Sequence, residues 1–409
     1  MNTRKSMAAA LAATMCFGLA GCGSKETKQE DKELTATITV WTPQEDQSNK
    51  WIQGQCEAFA KKHPKWKITF KYGVCSEGDA GKTVAQDVNA AADVYMFAND
   101  QLGQLIDAKG IAQLGGSTAE EVKKTNSEPM VKSVTSDGKI YGVPFTGNTW
   151  FMYYDTSAFT ADDVKSLDAM LKKATVAFPL TNSWYNGSFY LANGGSLFGD
   201  GTDASKGIDF KGEKGYATTK YLINLVNNKN FVNDADGKAL TGLRSGSVKA
   251  MFSGSWDYDN VKKALGDRFG AVQLPKVTID GKEQQLKSFA GSKAIGVNPN
   301  SKHQEVAVAL AKYLGSSESQ KSHYEARKII PCNTELLKDE KISKDPLIKA
   351  QNDTINNTSV IQPTITAMTK YWVPAETFGK AIVGKKVTAA NYKEETDKFV
   401  KSLNTKETD

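Results

Sequence analysis

The chain has 409 residues, 40% hydrophobic and 24% charged, and carries a net charge of +6 from 52 basic and 46 acidic side chains. That length suits two or three domains of ordinary globular composition. The positive excess is small and dispersed, and no basic stripe interleaves with aromatics, so no nucleic-acid partner is expected.

Arg4 and Lys5 precede an apolar run from Met7 to Leu19, which ends in Leu19-Ala20-Gly21-Cys22. A positive start, an apolar middle and small residues before a cut describe a bacterial secretory signal. The run falls short of the roughly 20 residues that a membrane span needs. A cysteine in this place resembles the lipobox of bacterial lipoproteins. The resemblance implies removal of residues 1–21, acylation of Cys22, and a body held at the extracytoplasmic face of the bacterial cell membrane by lipid alone. Residues 23–35, GSKETKQEDKELT, are polar and free of aromatics, so Cys22 and this segment read as a solvated tether. No later stretch is long and apolar enough to cross a bilayer.

Ordered structure is expected from residue 36. ATITVW (36–41) alternates as a strand, and Trp51, Ile52 and Phe59 mark a helix over 48–62. KITFKYGV (67–74) and DVYMFA (93–98) are further strands, with a short helix after the second of these. This alternation predicts an α/β layer with a largely parallel sheet. GKIYGVPF (138–145) and TWFMYYD (149–155) are β-like, and residues 214–228 form an amphipathic helix. VKAMFSGSW (248–256) and RFGAVQLP (268–275) read as strands, and Asp280-Gly281 signals a hairpin. SFAGSKAIGVNPNS (288–301) is a strand crossing a glycine-rich bend. Helices are expected at 303–315 and 317–326, and through 346–405 except near Pro363 and Pro374.

Five cysteines are present. Cys16 leaves with the signal and Cys22 is the anchor. Cys56 and Cys75 follow each other in a predicted helix and just after a strand. A bridge between them is compatible with export, and so are two small buried thiols. Cys332 reads as a lone packed thiol. Without a CxxC pair, and with His63, His303 and His323 too scattered for metal ligation, no metal is expected. No cofactor signature appears either. GDAGKT (78–83) mimics the end of a phosphate loop, but Ser76 occupies the position that needs glycine. The nucleophile elbow, the HExxH helix and GxGxxG after a strand are all missing. Glu45, Asp46 and Asp257 can be cast as glycosidase carboxylates; the favoured reading is that they are polar ligands for sugar hydroxyls, and no enzyme is expected.

The positive signal is aromatic. Of seven tryptophans, Trp51 and Trp66 fall within helix and strand patterns. Trp184, Trp256 and Trp372 sit beside polar or turn residues, where an indole is left partly open. A pyranose offers apolar C–H faces to such a ring. Burying roughly 100 Å² per stacked ring gives about 2.5 kcal/mol. Three platforms approach the roughly 8 kcal/mol of a micromolar complex, and hydroxyl hydrogen bonds supply the rest.

Taken together, ADVYMFANDQLGQLIDAKGIAQL (92–114), GKIYGVPFTGNTWFMYYDTSAF (138–159), LANGGSLF (191–198), VKAMFSGSWDYDNV (248–261), LPKVTIDGKEQQLKSFAGSKAIGVNPNS (274–301) and DPLIKAQNDTINNTSVIQPTITAMTKYW (345–372) resemble the maltose/maltodextrin-binding proteins of the extracellular solute-binding family that serves ABC sugar importers. The likeness spans residues 36–405. It implies a periplasmic-binding-protein-like fold of two hinged α/β lobes with the ligand in the cleft between them. The lobes would be 36–146 plus 295–344, and 149–289 plus 347–405. The crossings would fall near 147–148, 290–294 and 344–346. It also implies a monomer that binds malto-oligosaccharide and docks on an importer's membrane subunits.

The resemblance carries over residue by residue. Glu45 and Asp46 match the polar turn after the first strand. Phe97-Ala98-Asn99-Asp100 matches an aromatic–x–x–Asp motif in which Asp100 accepts from sugar hydroxyls. Trp184, or its neighbour Tyr185, matches the aromatic before the paired glycines, with Asn182 as a polar ligand. Trp256 matches the tryptophan after a glycine-rich turn, followed by Asp257. Tyr371 and Trp372 match the late aromatic pair. Gram-negative members carry arginine at Gln101, glutamate at Asn148, arginine at Glu376 and lysine at Asp46. Stacking is therefore kept better than charged hydrogen bonding. Three readings stand: a maltodextrin-binding lipoprotein, the same fold taking another oligosaccharide such as a β-linked or galactosyl one, and a carboxylate-dependent carbohydrate-active enzyme.

Overall fold

The structure, a computed structural model, describes residues 33–405. The signal, Cys22 and most of the tether lie outside the described residues. Leu34 and Thr35, read above as the tether's end, instead open the first strand, Leu34–Thr42, and pair with Trp66 and Lys67. The reason is visible in the pattern: Ala36, Ile38 and Val40 are buried while Thr35 and Thr37 are exposed, a two-residue period that runs back through Leu34.

The first sheet orders its strands 359–361, 288–297, 94–98, 34–42 and 66–74, with 143–148 also on 288–297. Strands 66–74, 34–42 and 94–98 are parallel, joined through helices Trp51–Lys62 and Ala80–Gln86. Val94–Ala98 is buried at every position, as an inner strand covered on both faces must be. The second sheet orders its strands 231–233, 176–178, 250–253, 151–155 and 269–272, part parallel and part antiparallel. One large apolar core gathers around each sheet, and a further cluster covers Phe151, Tyr153 and Met251 of the second.

Two connections pass from core to core within a few residues. Phe145 packs in the first core and Trp150 in the second. Along the strand Ser288–Val297, Phe289 packs in the second core and Ala294, Ile295 and Val297 in the first. Behind this junction Met130, Ala290, Cys332 and Ile355 form a small cluster of their own. Leu314 belongs to the first core, whereas Tyr324, Ile330, Leu336 and Ile342 pack with Phe151 and Tyr153.

Local expectations differ from the structure in three places. The turn holding Glu45 and Asp46 is a short helix, Gln44–Ser48. Ser359–Ile361, read as helical, is a strand along Ser288–Ala290. The helix Thr369–Val383 runs through Pro374. Proline removes one backbone donor there, but tertiary bonds anchor the helix, including Asn186 Nδ2 donating to the Ala375 carbonyl at 2.7 Å. The Asp280-Gly281 hairpin forms as expected, with φ of 50° and 74°. Cys56, Cys75 and Cys332 are free and buried. Burial pushes the Cys56 thiol up to about 12, so it stays protonated and inert.

Candidate functional site

The start of the strand Ser288–Val297 gathers the site. Phe289 packs edge-on against Trp372, centroids 5.9 Å apart. The Ala290 carbonyl accepts from the Gln362 backbone N–H at 2.9 Å. Gly291 pairs with Asn148 across the strands, and a Cβ there would overlap the Asn99 side chain. One short stretch of backbone therefore abuts the turn before Asp100, the half-buried Asn148, and the helix carrying Trp372.

Trp184 lies in the first turn of the helix Ser183–Ala192. Its backbone N–H donates to Asn182 Oδ1 at 2.9 Å, an N-cap bond that fixes the helix start. Its carbonyl accepts from the Trp150 indole at 3.3 Å. Its own indole N–H donates to Gln362 Oε1 at 2.9 Å. The polar groups of Trp184 are all bonded to protein, so what the half-buried ring has left to offer is apolar face. Trp256 stands next to it, centroids 5.7 Å apart and tilted 40°, and is 46% exposed. Gly254 makes this pose possible, because a Cβ there would overlap the six-membered ring of Trp256.

The neighbouring aromatics are corrections. Tyr185 is buried against Trp150, centroids 4.9 Å apart. Tyr371 is fully buried, and its hydroxyl donates to the Ser183 carbonyl at 2.8 Å. Burial pushes both phenols well above their usual range. Consecutive helical residues point about 100° apart, so when Trp184 and Trp372 face outward, Tyr185 and Tyr371 turn into the core. Tyr371 also fixes the helix pair, since a side chain at Gly187 would strike its hydroxyl.

The polar candidates divide in the same way. Asp46 is buried, accepting from Arg327 at 2.7 Å and bonded to His323 Nε2 at 2.9 Å. Burial alone would raise its carboxyl, but its bonds to His323 and Arg327 hold it below the usual range. It ties the first helix to the helix Ser317–Arg327, and the ligand role is withdrawn. Phe97 is likewise a core residue at 0% exposure. Glu45 is exposed in the short helix. Asp100 is half-buried in the turn Asn99–Gln101, accepting from Gln101 Nε2 at 2.9 Å. Desolvation pushes its carboxyl upward, as for an anion short of donors. Asp257 accepts from Ser253 Oγ at 2.6 Å, beside Trp256. Glu376 sits one turn past Trp372, paired with Lys380. Thr181, Asn182, Asp234, Asp236, Glu376 and Lys380 line one open groove of about 540 Å³.

Sequence reasoning did not single out Gln362 or Asn99. Asn99 Nδ2 and the Gln362 carbonyl meet across 263 positions, and no local spacing signals such a contact.

Residues 54–350 match the model of the bacterial extracellular solute-binding protein family. The galactooligosaccharide-binding protein of Bacillus subtilis (strain 168) is 26% identical, covering 90% of this chain and 89% of its own. The maltooligosaccharide ABC transporter solute-binding lipoprotein of Streptococcus pneumoniae R6 is 26% identical, covering 91% of each. A structure solved with acarbose is 50% identical, with a TM-score of 0.85, covering 90% of this chain and 99% of that one. The maltodextrin-binding protein of L. casei BL23, solved without ligand, is 28% identical, with a TM-score of 0.84, over 91% of this chain and 100% of that one. The named relatives are solute-binding proteins, not enzymes. With the fold, the coverage and the family model in agreement, this two-lobed chain belongs to the bacterial extracellular solute-binding family.

Proposed function

We propose that this protein captures malto-oligosaccharides in the cleft between its lobes and hands them to an ABC importer. The observation that carries the reading is the pair of open indoles, Trp256 at 46% exposure beside a Trp184 whose polar groups are already bonded. Stacked glucose rings suit such faces; Asn182 and Asp257 adjoin the two indoles in sequence, and Asp100 follows Asn99, which meets Gln362 beside Trp184, so the three are offered as acceptors for hydroxyls. The 50% identical structure holding acarbose, an α-linked pseudo-oligosaccharide, supports this sugar class.

The lobes would be 36–146 with 295–314 and 149–289 with 347–405, hinged near 147–148 and 290–294; the third crossing, expected near 344–346, moves earlier, because Tyr324, Ile330, Leu336 and Ile342 pack with Phe151 and Tyr153. Sugar settles on the aromatic lobe, and the polar lobe closes over it. Closure is favoured by the ligand's differential affinity for the closed form. The closed monomer then docks on the importer's membrane subunits. Acylation of Cys22 keeps it at the outer face of the cell membrane, a reading supported by relatives named as lipoproteins.

A galactosyl oligosaccharide is the second reading, favoured by the Bacillus subtilis relative. Calorimetry with maltotriose and with a β-galactosyl trisaccharide separates the two. Maltotriose is expected to bind with micromolar affinity, and maltotetraose is expected to survive incubation intact. Binding of the galactosyl sugar alone would overturn the first reading.

A further inference from the structure

Gln362 begins the segment 362–366, which joins the strand Ser359–Ile361 to the helix Thr369–Val383 through the short turn Thr366–Met368. It is 3% exposed and bonded three ways. Its backbone N–H donates to Ala290, its carbonyl accepts from Asn99 Nδ2 at 3.4 Å, and its side-chain Oε1 accepts from the Trp184 indole at 2.9 Å. An indole N–H only donates, so the amide must turn its oxygen toward the ring. The rest of the segment touches both halves of the molecule. A Cβ at Gly103 would overlap the backbone of Thr364 and Thr366, and Thr366 Oγ1 donates to Asp107. On the other side, Pro363 faces Gly201.

We propose that Gln362 is a positioning residue for the Trp184 sugar platform, linking the plane of that indole to the turn that carries Asp100. The inference rests on the sugar-binding reading. Asn182 and Trp150 already fix the backbone of Trp184, and Tyr185 and Trp256 pack against its ring without a directional bond to set its plane. The bond from the indole N–H supplies that direction before sugar arrives, so less ordering is left for binding to offset. Because the same glutamine is held by Asn99, a shift of the first-lobe turn on closure reaches the indole through two hydrogen bonds.

The test is a double-mutant cycle on the full chain, titrated with maltotriose: wild type, Gln362→Leu, Trp184→Phe and the double variant. Gln362→Leu is expected to weaken binding about fivefold, the worth of one hydrogen bond. In the Trp184→Phe background it is expected to change nothing, because a phenyl ring has no N–H to hold. In ¹H–¹⁵N spectra the Trp184 indole cross-peak should move in Gln362→Leu while that of Trp256 stays. Equal losses in both backgrounds, or a loss under about twofold, would overturn the proposal. Where the leucine variant does not fold, Gln362→Met, of similar length, takes its place in the cycle. Wild type that takes no maltotriose sinks the sugar reading and this inference with it; wild type that binds, with a flat cycle, sinks the inference alone.

Discussion

The aromatic lobe and the polar lobe treat their candidate ligand residues differently. In the aromatic lobe, each neighbouring pair splits into one ring outward and one inward: Trp184 against Tyr185, Trp372 against Tyr371. In the polar lobe, Asp46 of the polar turn after the first strand serves structure, bonded to His323 and Arg327. An aromatic ring keeps one face free after burying the other, so it can serve core and ligand at once. A carboxylate that leaves water must be satisfied by protein, and a satisfied carboxylate has little left for a sugar.

That contrast can be broken by experiment. The largest effect is expected from Asp46→Ala, which leaves Arg327 without its anion and the buried His323 Nε2 without its partner. Stability should fall by about 3–5 kcal/mol in chemical denaturation, with maltotriose affinity unchanged in the protein that stays folded. The lowered carboxyl of Asp46 supplies stability above its unfolded pKa, and that stability is lost as pH falls through the folded value. Acid unfolding should therefore shift toward neutral pH if the ion pair is weakened.

Trp256→Ala comes next. Removing an open platform should weaken maltotriose binding about tenfold or more while leaving the melting temperature nearly unchanged. Unchanged affinity in calorimetry would count against stacking at Trp256. Tyr371→Phe should do the reverse, costing about 1 kcal/mol of stability through the lost bond to Ser183, with affinity within about twofold.

The smallest effect tests Asp100. Its carboxyl is raised by desolvation, and sugar hydroxyls donating to it would favour the anion. Binding should therefore be stronger above the raised pKa and weaken a few-fold as pH falls through it. Asp100→Asn should flatten that profile, since an amide carries no charge to lose. A wild-type profile already flat in the acid range would remove Asp100 from the contact set.

Much of the fold was legible in the sequence because it is written in local patterns. The strands 66–74 and 94–98, the helix 212–226 and the hairpin at Asp280 all follow from period and turn chemistry. The strand Ser359–Ile361 was missed because three residues carry no period, and its identity comes from pairing with Ser288–Ala290. The site was legible in part. Motif spacing brought Trp184, Trp256, Trp372 and Asp100 forward, but it could not say which of two adjacent aromatics faces outward. Asp46 and Phe97 sat in motif positions yet proved structural, because their burial depends on His323, Arg327 and Gly142, all distant in sequence.

The strand Ser288–Val297, with one end rooted in each core, has a consequence for how the chain matures. The first sheet begins at Leu34 and closes only when Ser359–Ile361 is laid against that strand. Neither half can finish while the C-terminal third is still on the ribosome. Contacts this far apart slow the final collapse, so the nascent polypeptide passes a long interval with both cores incomplete.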